Sequence, residues 1–79
     1  MRQKIKAAML ANPPTTPNGE LQSAFWRGYA FEASGIGKQM DNTTQRTGAF
    51  DAGREYRRRG GEVPDAVRRS LPALFAKVT

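Results

Sequence analysis

The sequence predicts an all-α fold, and three observations support this prediction. Apolar and small residues recur at helical spacing in separate segments. No segment alternates apolar and polar residues over the length of a strand, and β-branched apolar residues are few. Glycine or proline stands between the periodic segments, where helices end. With 79 residues, 38% of them hydrophobic, residues 1–79 are expected to form a single small helical domain with a thin core.

The N-terminal segment, residues 1–19, is predicted to form a short helix followed by a linker. Ile5 and Met9 fall on one side of the helix, and the proline-rich stretch 13–17 is hostile to helix. The apolar run at residues 7–11 is too short for a signal peptide, and no stretch has the length of a membrane span. We therefore expect a cytoplasmic protein that does not enter a membrane.

A first long helix is predicted at about residues 20–35. Asn18 is the expected N-cap, and Gly35 and Gly37 are natural stops. The apolar positions have the spacing i, i+3, i+4, i+7 and i+8, which defines one face of a helix. They are Leu21, Ala24, Phe25, Gly28 and Tyr29.

A second long helix is predicted at about residues 44–58. Thr43 or Thr44 can cap its start, and Gly60-Gly61 ends it. With the first long helix it forms a predicted helical hairpin over residues 20–60.

The C-terminal tail, residues 61–79, is predicted to be a further helix that kinks or restarts at Pro72. Proline lacks the amide hydrogen that continues a helix, and Pro64 suits a first turn. The tail carries an apolar face that either folds back to complete the core, the favoured interpretation, or docks on a protein or a second copy of the chain. Its candidate interface residues are Val67, Leu71, Leu74 and Phe75.

An internal repeat links the two long helices. The pattern Ala24-Phe25-x-x-Gly28 recurs 25 positions later as Ala49-Phe50-x-x-Gly53. Small residues four positions apart let the axes of two helices approach closely. Glycine inside a helix destabilises the helix, so its presence there suggests that close packing compensates. We predict close helix packing at these residues, with a backbone approach to a ligand as the less favoured alternative.

The composition disfavours enzyme chemistry. The chain has no Cys and no His, so it lacks thiolate ligands, a cysteine nucleophile and the commonest general base. No metal-ligand spacing is present, and no cofactor is implied. We expect a binding protein rather than an enzyme.

The net charge of +6 favours an anionic partner, with nucleic acid ahead of other candidates. All clustered cations are arginine, which binds phosphate in bidentate fashion and stacks on bases. The alternative is an exposed helix end whose arginines pair with Glu55 and Glu62. Trp26 and Tyr29 can add base stacking if exposed, although packing is favoured. The candidate nucleic-acid-binding residues are Arg27, Arg46, Arg54, Arg57, Arg58, Arg59, Arg68 and Arg69.

Residues 24–58 resemble the ribosome modulation factor family, which consists of very small, basic, two-helix bacterial proteins. The matching residues are Arg27-Gly28-Tyr29, Ala33, Gly35, Gln45-Arg46, Phe50 and Gly53-Arg54-Glu55. The resemblance implies a helix–connection–helix hairpin, binding to ribosomal RNA on the small subunit, and formation of translationally inactive ribosome dimers.

Two functions therefore compete. The first is a small ribosome-associated RNA-binding protein that regulates translation. The second is a phage or mobile-element protein that inhibits or adapts a host protein or nucleoprotein complex by stoichiometric binding, with a homodimer as a further possibility.

Overall fold

The computed structural model describes residues 2–35 and 44–76, and these residues form five helices and no strand. The helices are α1 (Arg2–Ala11), α2 (Glu20–Ala33), α3 (Thr44–Arg58), α4 (Asp65–Ser70) and α5 (Pro72–Phe75). The predicted all-α class is confirmed. The predicted connection between the long helices lies mostly outside the described residues, as do Gly37, Thr43 and the last three residues of the tail.

The ends of the long helices agree closely with the prediction, with one exception at the start of α2. Gly19, not Asn18, is the N-cap residue of α2, and no side chain caps this end. At the other end Gly35 has φ 75°, a left-handed conformation that glycine adopts at little cost. α3 ends in the same way at Gly60, with φ 80°. There the amides of Gly60 and Gly61 donate to the carbonyls of Arg57 and Tyr56, which is a Schellman motif.

The ion pairs between α2 and α3 establish the direction of the two helices. Glu20, at the start of α2, pairs with Arg46, near the start of α3, at 3.4 Å. Glu32, near the end of α2, pairs with Arg54 and Arg58, near the end of α3. The two helices therefore run side by side in the same direction. The predicted hairpin is therefore a pair of parallel helices, whereas the helices of a hairpin are usually antiparallel.

The repeat lies at the closest approach of these two helices. A Cβ atom at Gly28 would overlap the backbone carbonyl of Phe50, and one at Gly53 would overlap the backbone carbonyl of Phe25. The two contacts correspond to each other under the shift of 25 residues, so the repeat marks an approximately two-fold symmetric helix pair. Ala24 and Ala49 are also buried, at 2% and 0% exposure.

The core is aromatic and lies on one side of this pair. Phe25 and Trp26 are fully buried, and the Trp26 ring contacts the rings of Phe25, Tyr29, Tyr56 and Phe75 at centroid distances of 4.8–6.4 Å. Such edge-to-face contacts add to the apolar area that each ring buries. An extended network of rings thus replaces the aliphatic core that the composition lacks.

The N-terminal helix and the C-terminal tail complete the core. α1 packs against α3, and its Met9 and Leu10 contact the core cluster. From the tail, Val67 and Phe75 are buried, at 0% and 5% exposure. α4 ends at Ser70 and α5 begins at Pro72, so the helix restarts at this proline as predicted.

Two tyrosines hold the turn that leads from α3 into the tail. The Tyr29 hydroxyl donates to the carbonyl of Gly61 at 2.8 Å, and the Tyr56 hydroxyl donates to the carbonyl of Glu62 at 2.7 Å. Each tyrosine keeps its ring in the core while its hydroxyl satisfies a backbone carbonyl. The turn is thereby placed beside α2, and it sets the position of α4 and its arginines.

Candidate nucleic-acid interface

The arginines of α3 divide into those that hold the fold together and those that present their charge outward. Arg54 belongs to the first group. Its Nε donates to Glu32 Oε1 at 3.0 Å, and its side chain is only 19% exposed. Arg58 donates to the other oxygen of the same carboxylate at 3.2 Å. Glu32 thus ties the end of α2 to two successive turns of α3.

The pKa of Glu32 reflects this arrangement. The hydrogen bond from Arg54 lowers the pKa of the Glu32 carboxyl below its ordinary value, and Arg58 lowers it further, while partial burial opposes both. The carboxylate therefore stays ionised at neutral pH and neutralises part of the arginine cluster. Arg54 was predicted as a phosphate contact, but its position makes it chiefly a structural ion-pair residue.

A second carboxylate, on α3 itself, pairs with Arg58 as well and with one further arginine. Glu55 pairs with Arg58 at 3.4 Å and with Arg59 at 3.3 Å, one helical turn away. Arg59 remains 61% exposed, and such an exposed pair contributes little to stability. These pairs match the exposed-helix-end alternative, so Arg58 and Arg59 contribute less net charge to an interface than the sequence suggests.

A polar cavity of about 380 Å³ lies between α1 and α3, lined by Lys6, Asp51, Arg54 and Arg58. Three cations at one cavity suggest an anion site. Asp51 also lines the cavity, however, and Glu32 already binds both arginines. Glu55 pairs with Arg58 too, so three carboxylates offset the three cations and the cavity is a weak candidate for phosphate.

Arg57 and Arg68 are held differently, by aromatic rings. The guanidinium carbon of Arg57 lies 5.7 Å from the centre of the Tyr29 ring, and that of Arg68 lies 5.9 Å from the centre of the Phe75 ring. The two rings are neighbours, with centroids 6.1 Å apart. We call Arg57 and Arg68 the ring-backed arginines. Residues distant in sequence, on α3 and α4, are thus brought onto adjacent aromatic supports.

This geometry suits the recognition of phosphate. A guanidinium that lies over an aromatic face is attracted by the ring and restricted in motion. Its N–H groups point outward in the molecular plane, where they can donate two parallel hydrogen bonds to phosphate oxygens. Restricting the side chain before binding lowers the entropic cost of the contact.

Two more arginines lie near this pair. Arg69 follows Arg68 on α4 and is exposed, and Arg27 projects from the surface of α2 beside residues 70–74. Among residues 2–35 and 44–76, neither Arg27 nor Arg69 has an ion pair with a carboxylate. We call the four arginines around the C-terminal tail the tail surface: Arg27, Arg57, Arg68 and Arg69.

In two places where the sequence left an alternative open, the structure shows the favoured interpretation, which is packing in the core. Trp26 and Tyr29 are 0% and 2% exposed, so their faces are not open to stacking on bases. Val67 and Phe75 pack inside the core and do not form a protein interface, because the tail folds back. Leu71 and Leu74 are only partly buried and line a surface groove.

The sequence reasoning missed Phe31 and Glu32. Phe31 packs edge-on against Phe50 at 5.4 Å and forms a wall of that groove. The signal for Glu32 was present, since it is an acidic residue at the end of a helix that precedes an arginine-rich one. Its role depends on the parallel direction of α2 and α3, which periodicity does not reveal.

The comparisons with known proteins found no similar protein. No family model matches the chain, and neither the curated proteins nor the solved structures contain a match. Within residues 2–35 and 44–76, no helix combines the length and apolar character needed to cross a membrane. In the same residues, no three potential acidic, His or Cys ligands come together as a metal site would require.

Proposed function

We propose that this chain is a small RNA-binding protein that associates with the ribosome, as its resemblance to the ribosome modulation factor family implies. The observation that carries the proposal is the pair of ring-backed arginines, Arg57 and Arg68, held on the neighbouring rings of Tyr29 and Phe75. The proposed consequence of this binding is regulation of translation through inactive ribosome dimers.

The local charge supports an anionic partner. The tail surface contributes four arginines, whereas the acidic residues nearby in the chain are Glu62, between α3 and α4, and Asp65, the first residue of α4. A positive excess therefore remains after local pairing, whereas the charges on the opposite part of α3 largely cancel. Four clustered arginines suit the phosphate backbone of a nucleic acid, and the family resemblance favours RNA.

A second candidate function has its own supporting observation. The groove lined by Phe31, Leu71 and Leu74 is open at the surface, and apolar grooves also bind protein segments. In this alternative a phage or mobile-element protein inhibits or adapts a host protein or nucleoprotein complex. The cationic residues beside the groove favour the RNA proposal.

The salt dependence of binding tests the RNA proposal. Each phosphate that an arginine neutralises releases counterions, so the logarithm of the affinity should fall linearly with the logarithm of salt concentration. Four contacts predict a slope of about −3 on single-stranded RNA. The measurement is a fluorescence anisotropy titration of small-subunit ribosomal RNA at several salt concentrations. A slope near zero, or no binding at low salt, would refute the tail surface as a phosphate-binding site.

A further inference from the structure

An apolar groove of about 380 Å³ lies beside the tail surface, between α2 and the α4–α5 segment. Phe31 forms one wall, and residues 70–74 form the other. Most of the lining side chains are apolar, and polar groups come from Arg27 and Ser70 at the rim. The groove is thus much more apolar than the cationic surface around it.

The charges at the groove restrict what can occupy it. No Asp or Glu lines the groove, and Arg27 is exposed at its edge with no ion pair among residues 2–35 and 44–76. Arg69 is exposed one residue before the lining begins. An occupant that satisfies both features carries an apolar face and an anionic group a short distance away.

We propose that the groove holds an unstacked base of single-stranded RNA, an inference that rests on the proposed function. A nucleobase has apolar faces that suit Phe31 and Leu71, and polar edges that suit the Ser70 hydroxyl and the Arg27 guanidinium. Its flanking phosphates then reach Arg27 and Arg69. Duplex RNA cannot use the groove, because its bases are paired and stacked.

The proposal predicts a preference between two forms of the same RNA. The probe is a labelled single strand of about ten nucleotides, compared with the same strand annealed to its complement. Contacts to one base typically strengthen binding by about fivefold to a hundredfold. We expect the wild-type protein to prefer the single strand by a factor in this range, although the duplex has the higher density of phosphate charge.

Two variants with the same change of charge test whether the groove causes the preference for single-stranded RNA. Ala73 is exposed and lines the groove, so Ala73→Glu places a carboxylate at the site without disturbing the core. Ala7→Glu makes the same change at an exposed position on α1, away from the groove. Ala73→Glu should abolish the single-strand preference, whereas Ala7→Glu should retain it. Thermal unfolding followed by circular dichroism checks that both variants are folded.

The possible outcomes separate this inference from the proposed function. Equal binding of both RNA forms by the wild type, with a normal salt slope, would overturn the groove proposal and leave the proposed function standing. A preference that survives Ala73→Glu would also overturn it. Failure to bind either RNA at low salt would overturn both. If Ala73→Glu abolished binding to intact small subunits but not to the RNA strands, the groove would belong to a protein partner instead.

Discussion

Gly53→Ala is expected to unfold the protein or to lower its melting temperature by roughly 12 °C or more. A Cβ at this position would overlap the carbonyl oxygen of Phe25 and lie 2.9 Å from the amide nitrogen of Tyr29. Both atoms are backbone, so no side chain can rotate away and α2 and α3 must separate. Overpacking of this kind costs about 3 kcal/mol, from a total stability of roughly 5–10 kcal/mol. Thermal denaturation followed by circular dichroism measures the effect.

Gly35→Ala is the matched control for this prediction. Gly35 has φ 75°, and a Cβ there would have open space around it. Its substitution should therefore cost only the left-handed backbone strain, about 1–2 kcal/mol. Alanine is intrinsically the better helix former by about 1 kcal/mol, so without the close contact Gly53→Ala would be stabilising. A Gly53→Ala protein as stable as the wild type would contradict the packing described for the repeat.

Replacing both ring-backed arginines, Arg57→Ala with Arg68→Ala, is expected to weaken binding to ribosomal RNA by roughly a hundredfold or more. Each charge-assisted hydrogen bond typically contributes about 1.5–3 kcal/mol. The salt slope should also become shallower by about 1.4, because two phosphate contacts are lost. The measurement is the same anisotropy titration over a series of salt concentrations.

Two controls separate geometry from charge in this experiment. Lys4→Ala with Arg59→Ala also removes two positive charges, but from exposed positions outside the tail surface, and should weaken binding far less. Arg57→Lys with Arg68→Lys keeps the charge but loses the planar, bidentate group, so it should retain most of the salt slope with intermediate affinity. Equal losses in the two double-alanine variants would show that net charge, and not the ring-backed arrangement, governs binding.

Much of the fold can be predicted from the sequence because its signals are local. The helical spacing of the apolar residues locates α2 and α3. Gly35 and Gly60 end helices because they adopt a left-handed backbone conformation, and Pro72 begins a new helix. The repeat predicts close packing at Gly28 and Gly53, and the structure places both glycines against the backbone of the neighbouring helix. The helix spacing and the helix ends depend on residues within a few positions of one another, and the repeat can be recognised because its two copies share the same local pattern.

The candidate site is harder to predict, because it depends on contacts between distant residues. The sequence shows six arginines near one another, but it does not show that Glu32 forms ion pairs with two of them. These ion pairs require α2 and α3 to run in the same direction. The support of Arg68 by Phe75 depends likewise on the tail folding back over Tyr29. Tertiary structure therefore decides which arginines face outward, and charge counting along the chain overestimates the role of Arg54.

Cosedimentation with bacterial ribosomes on sucrose gradients tests the central claim most directly. The wild-type protein should migrate with the small subunit or with ribosome dimers at low salt, and moderate salt should weaken this association because phosphate contacts release counterions. The variant that lacks Arg57 and Arg68 should remain near the top of the gradient under the same conditions. Absence of the wild-type protein from every ribosomal fraction at low salt would contradict the proposed ribosomal function.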